Sequence, residues 1–168
     1  MSRSNSKSVY QSRPGDRIRL SGRRVSRSFP VWSQTHEQLR RAAHVIVSPS
    51  EEMTVVGRVP YSCSYDWIAD RGSPDFGIGR WVMLRDKDFT TSQSALQACV
   101  GQSAVVQSKS SGVTRGDIIV ITKRYTSHIT YVDGMLGGVE VRVVPFMNLE
   151  IMVTGPEGYT CDWERILS

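Results

Sequence analysis

Residues 139–144 read Val-Glu-Val-Arg-Val-Val, and this stretch decides the fold class of the chain. The alternation places Glu140 and Arg142 on one face of an extended segment and the valines on the other, which is the period-two pattern of a half-buried antiparallel strand. Residues 149–153, which read Leu-Glu-Ile-Met-Val, alternate in the same way. We therefore predict antiparallel strands in the carboxyl-terminal third of the chain.

Apolar and β-branched segments before this stretch indicate further strands. We predict them at residues 44–47, 53–59, 79–85, 103–107, 117–122 and 128–132. The segment 133–138, Asp-Gly-Met-Leu-Gly-Gly, is predicted to turn the chain into the alternating stretch. No repeat is recognisable at a period of about 20–50 residues.

Two short helices are predicted among the strands, at residues 33–43 and 90–101. Thr35 and Gln38 have the spacing of a capping box at the first helix, and Gly101 provides the glycine that commonly ends the second. Residues 159–167 are predicted to fold back onto the body. The sequence therefore predicts an α+β fold, which is an antiparallel β-rich single domain with two short helices.

Positive charge is concentrated near the amino terminus. The 168-residue chain has a formal net charge of +5; residues 1–41 hold ten Lys and Arg against two acids, whereas residues 42–168 hold eleven against fourteen. Residues 1–28 contain too little apolar surface to offset an ordering cost of roughly 1–2 kcal/mol per residue. We therefore predict a disordered Arg/Ser-rich arm over residues 1–32 and a globular domain over residues 33–168.

A basic, flexible arm is suited to polyanions, because each Lys or Arg that neutralises a phosphate releases a condensed counterion. We predict that the arm binds nucleic acid or nucleoprotein. An anionic membrane surface, a nuclear import signal and a solubilising tail are the alternatives. The predicted binding residues are the eight basic residues of the arm: Arg3, Lys7, Arg13, Arg17, Arg19, Arg23, Arg24 and Arg27.

Ser26 lies in a context that basic-directed kinases favour, since it follows Arg23 and Arg24. A phosphate at this serine would weaken contact with a polyanion.

Trp81, with Arg80 and Arg85 nearby, is the one place where aromatic and basic residues are interleaved as in a base-stacking platform. Core or subunit-interface packing is the alternative role for this tryptophan.

No catalytic or cofactor signature stands out in the sequence. The three histidines are too scattered to indicate a metal cluster, and three widely spaced cysteines indicate neither a disulfide framework nor a zinc site. A nucleophilic pair of Cys63 or Cys99 with His128 stays open. No apolar run has the roughly 18–20 residues of a membrane span, and no signal peptide is recognisable. We predict a protein that is not an enzyme and that uses no cofactor or metal.

Residues 131–143 read Tyr-Val-Asp-Gly-Met-Leu-Gly-Gly-Val-Glu-Val-Arg-Val. This stretch resembles the Tyr-x-Gly-x-Ile-Glu-Leu strand region of rhabdovirus-type matrix proteins, which also have a basic flexible amino terminus before an α+β body. The resemblance implies a viral structural protein that forms homo-oligomers and condenses the nucleocapsid beneath a membrane. It also implies a location in the virion and in the cytoplasm of the host cell.

Two other functions fit the same sequence. The plan also resembles that of small icosahedral coat proteins, in which the arm binds the genome and a jelly roll forms the shell. A single-strand nucleic-acid-binding module with an OB-like barrel is the alternative from another class. Two facing four-stranded sheets would favour the coat protein, and one sheet covered by helices would favour the matrix protein.

Overall fold

The computed structural model of the chain describes residues 11–22, 25–110, 112–125 and 130–168. Most of their regular secondary structure consists of antiparallel strands in two five-stranded sheets and one two-stranded sheet, to which two short α-helices are added. The prediction of an α+β, antiparallel β-rich single domain is confirmed. Across these ranges no helix is long and apolar enough to cross a membrane.

The first sheet is built from the amino-terminal half of the chain. Its elements and their neighbours are β1 (Arg17–Leu20), β2 (Arg27–Pro30), α1 (His36–Arg40), β3 (His44–Val47), β4 (Met53–Arg58), β5 (Trp67–Asp70), β6 (Trp81–Leu84) and β7 (Phe89–Gln93). The five strands of the sheet have the order β6-β5-β4-β1-β7, while β2 and β3 form the separate two-stranded sheet. Short 3-10 segments at Pro74–Arg80 and Asp86–Asp88 precede β6 and β7.

The second sheet is built from the carboxyl-terminal half of the chain. Its strands are β8 (Ser103–Val106), β9 (Ile118–Arg124), β10 (Tyr131–Leu136), β11 (Val139–Pro145) and β12 (Leu149–Ile151). They have the order β11-β10-β9-β8-β12. A 3-10 turn at Phe146–Asn148 precedes β12, and helix α2 (Asp162–Leu167) follows near the end of the chain.

The two five-stranded sheets have the same connectivity. In each, three consecutive strands form a meander, and the strand that comes before them in the chain pairs with the first strand of the meander. The last strand follows a 3-10 turn and returns to pair with that initial strand. Strands β1, β4, β5, β6 and β7 therefore correspond, in this order, to β8, β9, β10, β11 and β12.

Equivalent hydrogen bonds extend this correspondence to individual residues. The N–H of Gly15 donates to the carbonyl of Val55 over 2.9 Å, and the N–H of Gly101 donates to the carbonyl of Ile121 over 2.7 Å. Both glycines lie two residues before the initial strand of their sheet, and both have a positive φ, of 96° and 89°. The two positions therefore have the same backbone conformation and the same hydrogen-bond role.

The far end of each initial strand shows a second equivalence. The N–H of Ser21 donates to the carbonyl of Asp88 over 2.9 Å, and the N–H of Gln107 donates to the carbonyl of Asn148 over 2.8 Å. Each of these side chains also donates to the carbonyl one residue earlier in the same 3-10 turn, over 2.8 Å in both cases. We call residues 15–93 the first unit and residues 101–151 the second unit.

Each unit has its own apolar core, and a third cluster joins the first unit to the carboxyl terminus. Buried residues of the first unit include Ile18, Val55 and Trp67, while those of the second include Ile121 and Leu149. The third cluster is formed by Val56, Ile68, Tyr159 and Cys161. The predicted return of residues 159–167 onto the body is therefore confirmed.

The structure corrects the predicted boundary between arm and domain at residue 32. Strand β1 lies inside the first sheet between β4 and β7, and β2 pairs with β3. Ile18, Leu20 and Phe29, which are spread among Arg and Ser in the sequence, are buried in the core of the first unit. Of the predicted arm, residues 1–10 and 23–24 lie outside the described residues.

The predicted helix at residues 90–101 is wrong. Residues Phe89–Gln93 form β7, whose β-branched Thr90 and Thr91 pair with β1. The chain then makes a series of turns, in which the N–H of Ala95 donates to the buried carboxylate of Asp16 over 2.7 Å. The earlier predicted helix forms as α1, and Thr35 caps it by accepting from the N–H of Gln38 over 3.1 Å.

The sheet arrangement matches neither of the two patterns that distinguish a coat protein from a matrix protein above. The described residues form two five-stranded sheets of one connectivity rather than two facing four-stranded sheets or one helix-covered sheet.

The repeat was not recognisable in the sequence because the connection from β1 to β4 contains β2, α1 and β3. Its counterpart from β8 to β9 is a short loop, so equivalent residues have no constant spacing.

Candidate nucleic-acid interface

Two of the predicted binding residues, Arg17 and Arg19, lie on the outward face of β1. Their guanidinium groups form ion pairs with Glu52 at 3.5 and 3.8 Å, and Arg19 also donates to the carbonyl of Ser50 over 3.0 Å. A hydrogen bond from Ser92, together with these arginines, lowers the pKa of the Glu52 carboxyl against the opposing effect of its burial. The charge of Arg17 and Arg19 is therefore partly neutralised within the first unit.

Arg13 and Arg27 also bind to the body of the protein. The guanidinium of Arg13 lies 4.4 Å from the ring centroid of Phe146 and donates to the carbonyl of Leu149 over 2.5 Å. Arg27 pairs with the Asp88 carboxylate at 3.5 Å and donates to the Asp88 carbonyl over 2.7 Å. Arg13 thus joins the amino-terminal segment to the second unit. Arg27 stabilises the 3-10 turn Asp86–Asp88, which precedes β7.

The other four predicted binding residues, Arg3, Lys7, Arg23 and Arg24, lie outside the described residues. The structure nevertheless places the described residues that adjoin them. These define two attachment points, one at Gln11 and one between Ser21 and Arg27.

The first attachment point borders a cleft of about 450 Å³ at the β7 edge of the first sheet. Gln11 and Ser12 line this cleft, together with Arg58, Trp67 and the beginning of β7. The guanidinium of Arg58 lies 4.4 Å from the Trp67 ring centroid, and the Trp67 indole N–H donates to the Asp86 carboxylate over 2.5 Å. A cation stacked on an aromatic ring therefore lines the same cleft as Gln11, the first described residue after the segment that carries Arg3 and Lys7.

The second attachment point borders the 3-10 turn Asp86–Asp88, which contributes Asp86 to the same cleft. The hydroxyl of Ser21 donates to the carbonyl of Lys87 over 2.8 Å, and Arg27 binds Asp88 as described. Described residues on both sides of Arg23 and Arg24 therefore contact this turn, where Lys87 is exposed. We call Arg58, Trp67, Lys87 and the cleft between them the attachment surface.

Sequence patterns did not single out the Arg58–Trp67 pair. Nine positions separate the two residues in the chain, and they meet because they are direct cross-strand partners of β4 and β5. The register of this hairpin is the information that would have revealed the pair. Cross-strand neighbours have Cβ atoms about 4.5–5.5 Å apart, which is within reach of stacking.

The Trp81 platform forms only in part. The guanidinium of Arg80 lies 4.5 Å from the Trp81 ring centroid, but it also binds Asp70 through two hydrogen bonds of 2.7 and 2.9 Å. This hydrogen-bonded carboxylate raises the pKa of Arg80. Arg85 stacks on Tyr65 instead, at 5.2 Å. Because Trp81 packs against the third core cluster, its surroundings favour a packing role.

The cysteines have the properties of buried thiols. Cys99 and Cys161 are buried, and burial raises the pKa of both thiols, to about 12 for Cys161, where the Glu164 carboxylate adds to the effect. His128, the histidine proposed to pair with a cysteine, lies outside the described residues. Among the residues that the structure places, no group of three His, Cys, Asp or Glu side chains could hold a metal ion.

Comparison of the chain with protein-family models, with curated proteins and with solved structures gives no match.

Proposed function

We propose that the chain is a non-enzymatic viral structural protein of the matrix type, acting in the virion and the host-cell cytoplasm. In this proposal it binds nucleic acid or nucleoprotein through basic residues near its amino terminus and self-associates through its β-rich body. One observation carries the binding half of the proposal. Gln11, the described residue after the basic segment 1–10, lines the cleft together with Arg58 and Asp86. Ser21, which precedes the basic residues 23–24, donates to the carbonyl of Lys87, next to Asp86.

The structure narrows the set of residues that can supply this binding. Arg13, Arg17, Arg19 and Arg27 contact carbonyls, an aromatic ring or carboxylates of the body, so their positive charge already has internal partners. The remaining basic residues near the attachment surface are Arg3, Lys7, Arg23, Arg24, Arg58 and Lys87. Contacts between these cations and a phosphate backbone would give tight, salt-dependent binding.

A salt series with single-stranded RNA tests this assignment. The variant Arg23→Ala/Arg24→Ala removes two charges beside the attachment surface, and Arg40→Ala/Arg41→Ala removes a matched pair from the exposed end of α1. Each phosphate contact contributes about 0.7 to the slope of log K against log salt for single strands. We expect the first variant to lower the slope by about 1.4 and the second to leave it unchanged, as measured by fluorescence anisotropy.

Equal losses in the two variants would contradict the proposal, because binding would then follow total charge. An unchanged slope in the Arg23→Ala/Arg24→Ala variant would contradict it as well. Binding to vesicles of anionic lipid but not to RNA would assign the basic segments to a membrane surface instead.

A single-strand-binding module is the second candidate function. The exposed Arg58 guanidinium, which stacks on the buried Trp67 ring, favours it, because arginine planes bind unpaired bases without sequence preference. Sedimentation distinguishes the two candidates, since a matrix-type protein forms larger species at low salt whereas a binding module stays a monomer or small oligomer.

A further inference from the structure

Strand β11 forms an edge of the second sheet and exposes apolar side chains. It pairs with β10 on one side and with no other strand that the structure describes. Seven residues long, it leaves Val139 and Val143 exposed by 65% and 51%. A long edge strand of this kind is a template for pairing with another chain.

The unpaired backbone groups of this edge can be assigned from the hairpin geometry. Gly137 and Gly138 form a two-residue turn with φ values of 55° and 85°, and the flanking pair is Leu136 with Val139. In such a hairpin the flanking pair is hydrogen-bonded, and hydrogen-bonded and non-hydrogen-bonded pairs then alternate. The N–H and C=O groups of residues 140 and 142 therefore point away from β10, towards the open edge.

The side chains at this edge are self-complementary. If two β11 strands pair antiparallel about Val141, then Glu140 of each copy lies opposite Arg142 of the other copy. The same register places Val139 of one copy opposite Val143 of the other. Opposite charges and matched apolar residues are favourable cross-strand pairs, and residues 140 and 142 supply the outward hydrogen-bonding groups that this register requires.

A bulge limits the pairing to this short stretch. Two residues of β11, Arg142 and Val143, oppose Asp133 of β10, and Val143 has a positive φ of 55°. Asp133 is buried and accepts from the N–H of Val143 and from the Tyr125 hydroxyl, each over 2.8 Å. This carboxylate fixes the bulge and so ends the regular edge at residue 143, which disfavours longer or shifted pairings.

We propose that a second copy of this chain pairs with β11 across a two-fold axis at Val141, forming a continuous ten-stranded sheet from two five-stranded ones. The interface is isologous, because each copy contributes the same residues. The proposal rests on the self-association in the proposed function and specifies its surface. In the single chain Arg142 and Glu140 form an exposed ion pair at 3.3 Å, so both side chains lie on the same face of the sheet, where each can meet its counterpart from a copy added at the edge.

Charge reversal at the two positions tests this interface. In a dimer of the Glu140→Arg variant, the new arginine of each copy lies opposite Arg142 of the other copy. In a dimer of the Arg142→Glu variant, the new glutamate of each copy lies opposite Glu140 of the other copy. Each variant should dimerise at least tenfold more weakly than the natural chain in sedimentation equilibrium at low salt. The swapped variant Glu140→Arg/Arg142→Glu restores opposite charges, and so does an equimolar mixture of the two single variants. We expect both to regain the dimer.

Circular dichroism of each variant provides the folding control, and Glu157→Arg provides a matched reversal at another exposed site. Self-association that is indifferent to both reversals would overturn this interface while leaving self-association itself in place. A natural chain that stays monomeric at all concentrations would overturn both the interface and the self-association half of the proposed function. RNA binding by the Glu140 and Arg142 variants should be unchanged, because these residues lie on the second unit.

Discussion

Gly15 and Gly101 are equivalent positions that differ in one physical respect. Both have a positive φ, which disfavours any residue with a Cβ by about 1–2 kcal/mol. A Cβ on Gly15 would also lie 3.3 Å from the Cβ atoms of Ala95 and Ile151, whereas a Cβ on Gly101 would meet no atom within 4 Å. Alanine substitution at Gly101 therefore measures the cost of backbone strain alone, whereas the same substitution at Gly15 adds the cost of steric crowding.

We expect Gly101→Ala to lower the free energy of unfolding by about 1–2 kcal/mol, the cost of the backbone conformation alone. Gly15→Ala should cost more, since it adds crowding between the first unit and residues 95 and 151. Urea unfolding of the two variants measures the difference. Equal costs would show that the contact between Gly15 and Ile151 is loose, contrary to the structure.

Among the strands, predictability from sequence depended on how the apolar residues are arranged. Strand β11 alternates over its first residues, and its core position, Val141, is buried as the pattern requires. Strand β1 alternates as well, but its outward residues are Arg17 and Arg19 in a segment rich in Ser and Arg. The alternation indicates a short extended stretch within residues 13–20, but the Ser- and Arg-rich composition led us to assign it to the arm rather than to the domain.

Where local sequence patterns were misleading, pairing with neighbouring strands determined the conformation of the chain. Residues 90–101 have a polar start and a final glycine that resemble a helix, but pairing with β1 draws the first of them into β7. The Arg58–Trp67 pair was hidden for the same reason, because only the β4–β5 register brings the residues together. The charges of residues 1–10 and 23–24 could be read from sequence, but their shared attachment surface could not.

Strand β1 gives a test of where the domain begins. Deletion of residues 1–32 removes β1 and β2, and with them the buried side chains of Ile18, Leu20 and Phe29. We expect this deletion to abolish cooperative thermal unfolding, because an interior strand of the first sheet is lost. Deletion of residues 1–10 is the matched control and should keep a cooperative transition, since the described core residues all follow residue 10.

A cooperative transition in the chain that begins at residue 33 would contradict the placement of β1. The boundary between arm and domain would then lie at residue 32, as the charge distribution alone predicts.

Tyr159 joins the carboxyl-terminal segment to the first unit. Its ring belongs to the third core cluster, and its hydroxyl donates to the carbonyl of Arg58 over 3.0 Å. Burial, with the nearby Asp162 carboxylate, raises the pKa of Tyr159 to about 12. The folded chain therefore favours the protonated phenol over the phenolate.

This raised pKa predicts alkaline sensitivity. In the unfolded chain the phenol ionises near pH 10, whereas in the folded chain it resists ionisation until about pH 12. The stabilisation is therefore fully present below pH 10 and is lost as the pH rises from 10 to 12. We expect the Tm to fall over this range, and to fall less steeply in Tyr159→Phe, although the variant loses the hydrogen bond to Arg58. Parallel curves for the two proteins would show that Tyr159 does not carry the effect.

For the molecule as a whole, we propose that polyanions bind at the amino-terminal side of the first unit and that copies of the chain associate through the β11 edge of the second unit. Ultraviolet cross-linking of single-stranded RNA to the full chain, followed by peptide mapping, tests this division most directly. We predict cross-links in peptides from residues 1–27 and 58–91, which surround the attachment surface. Cross-links confined to residues 101–151 would contradict the account.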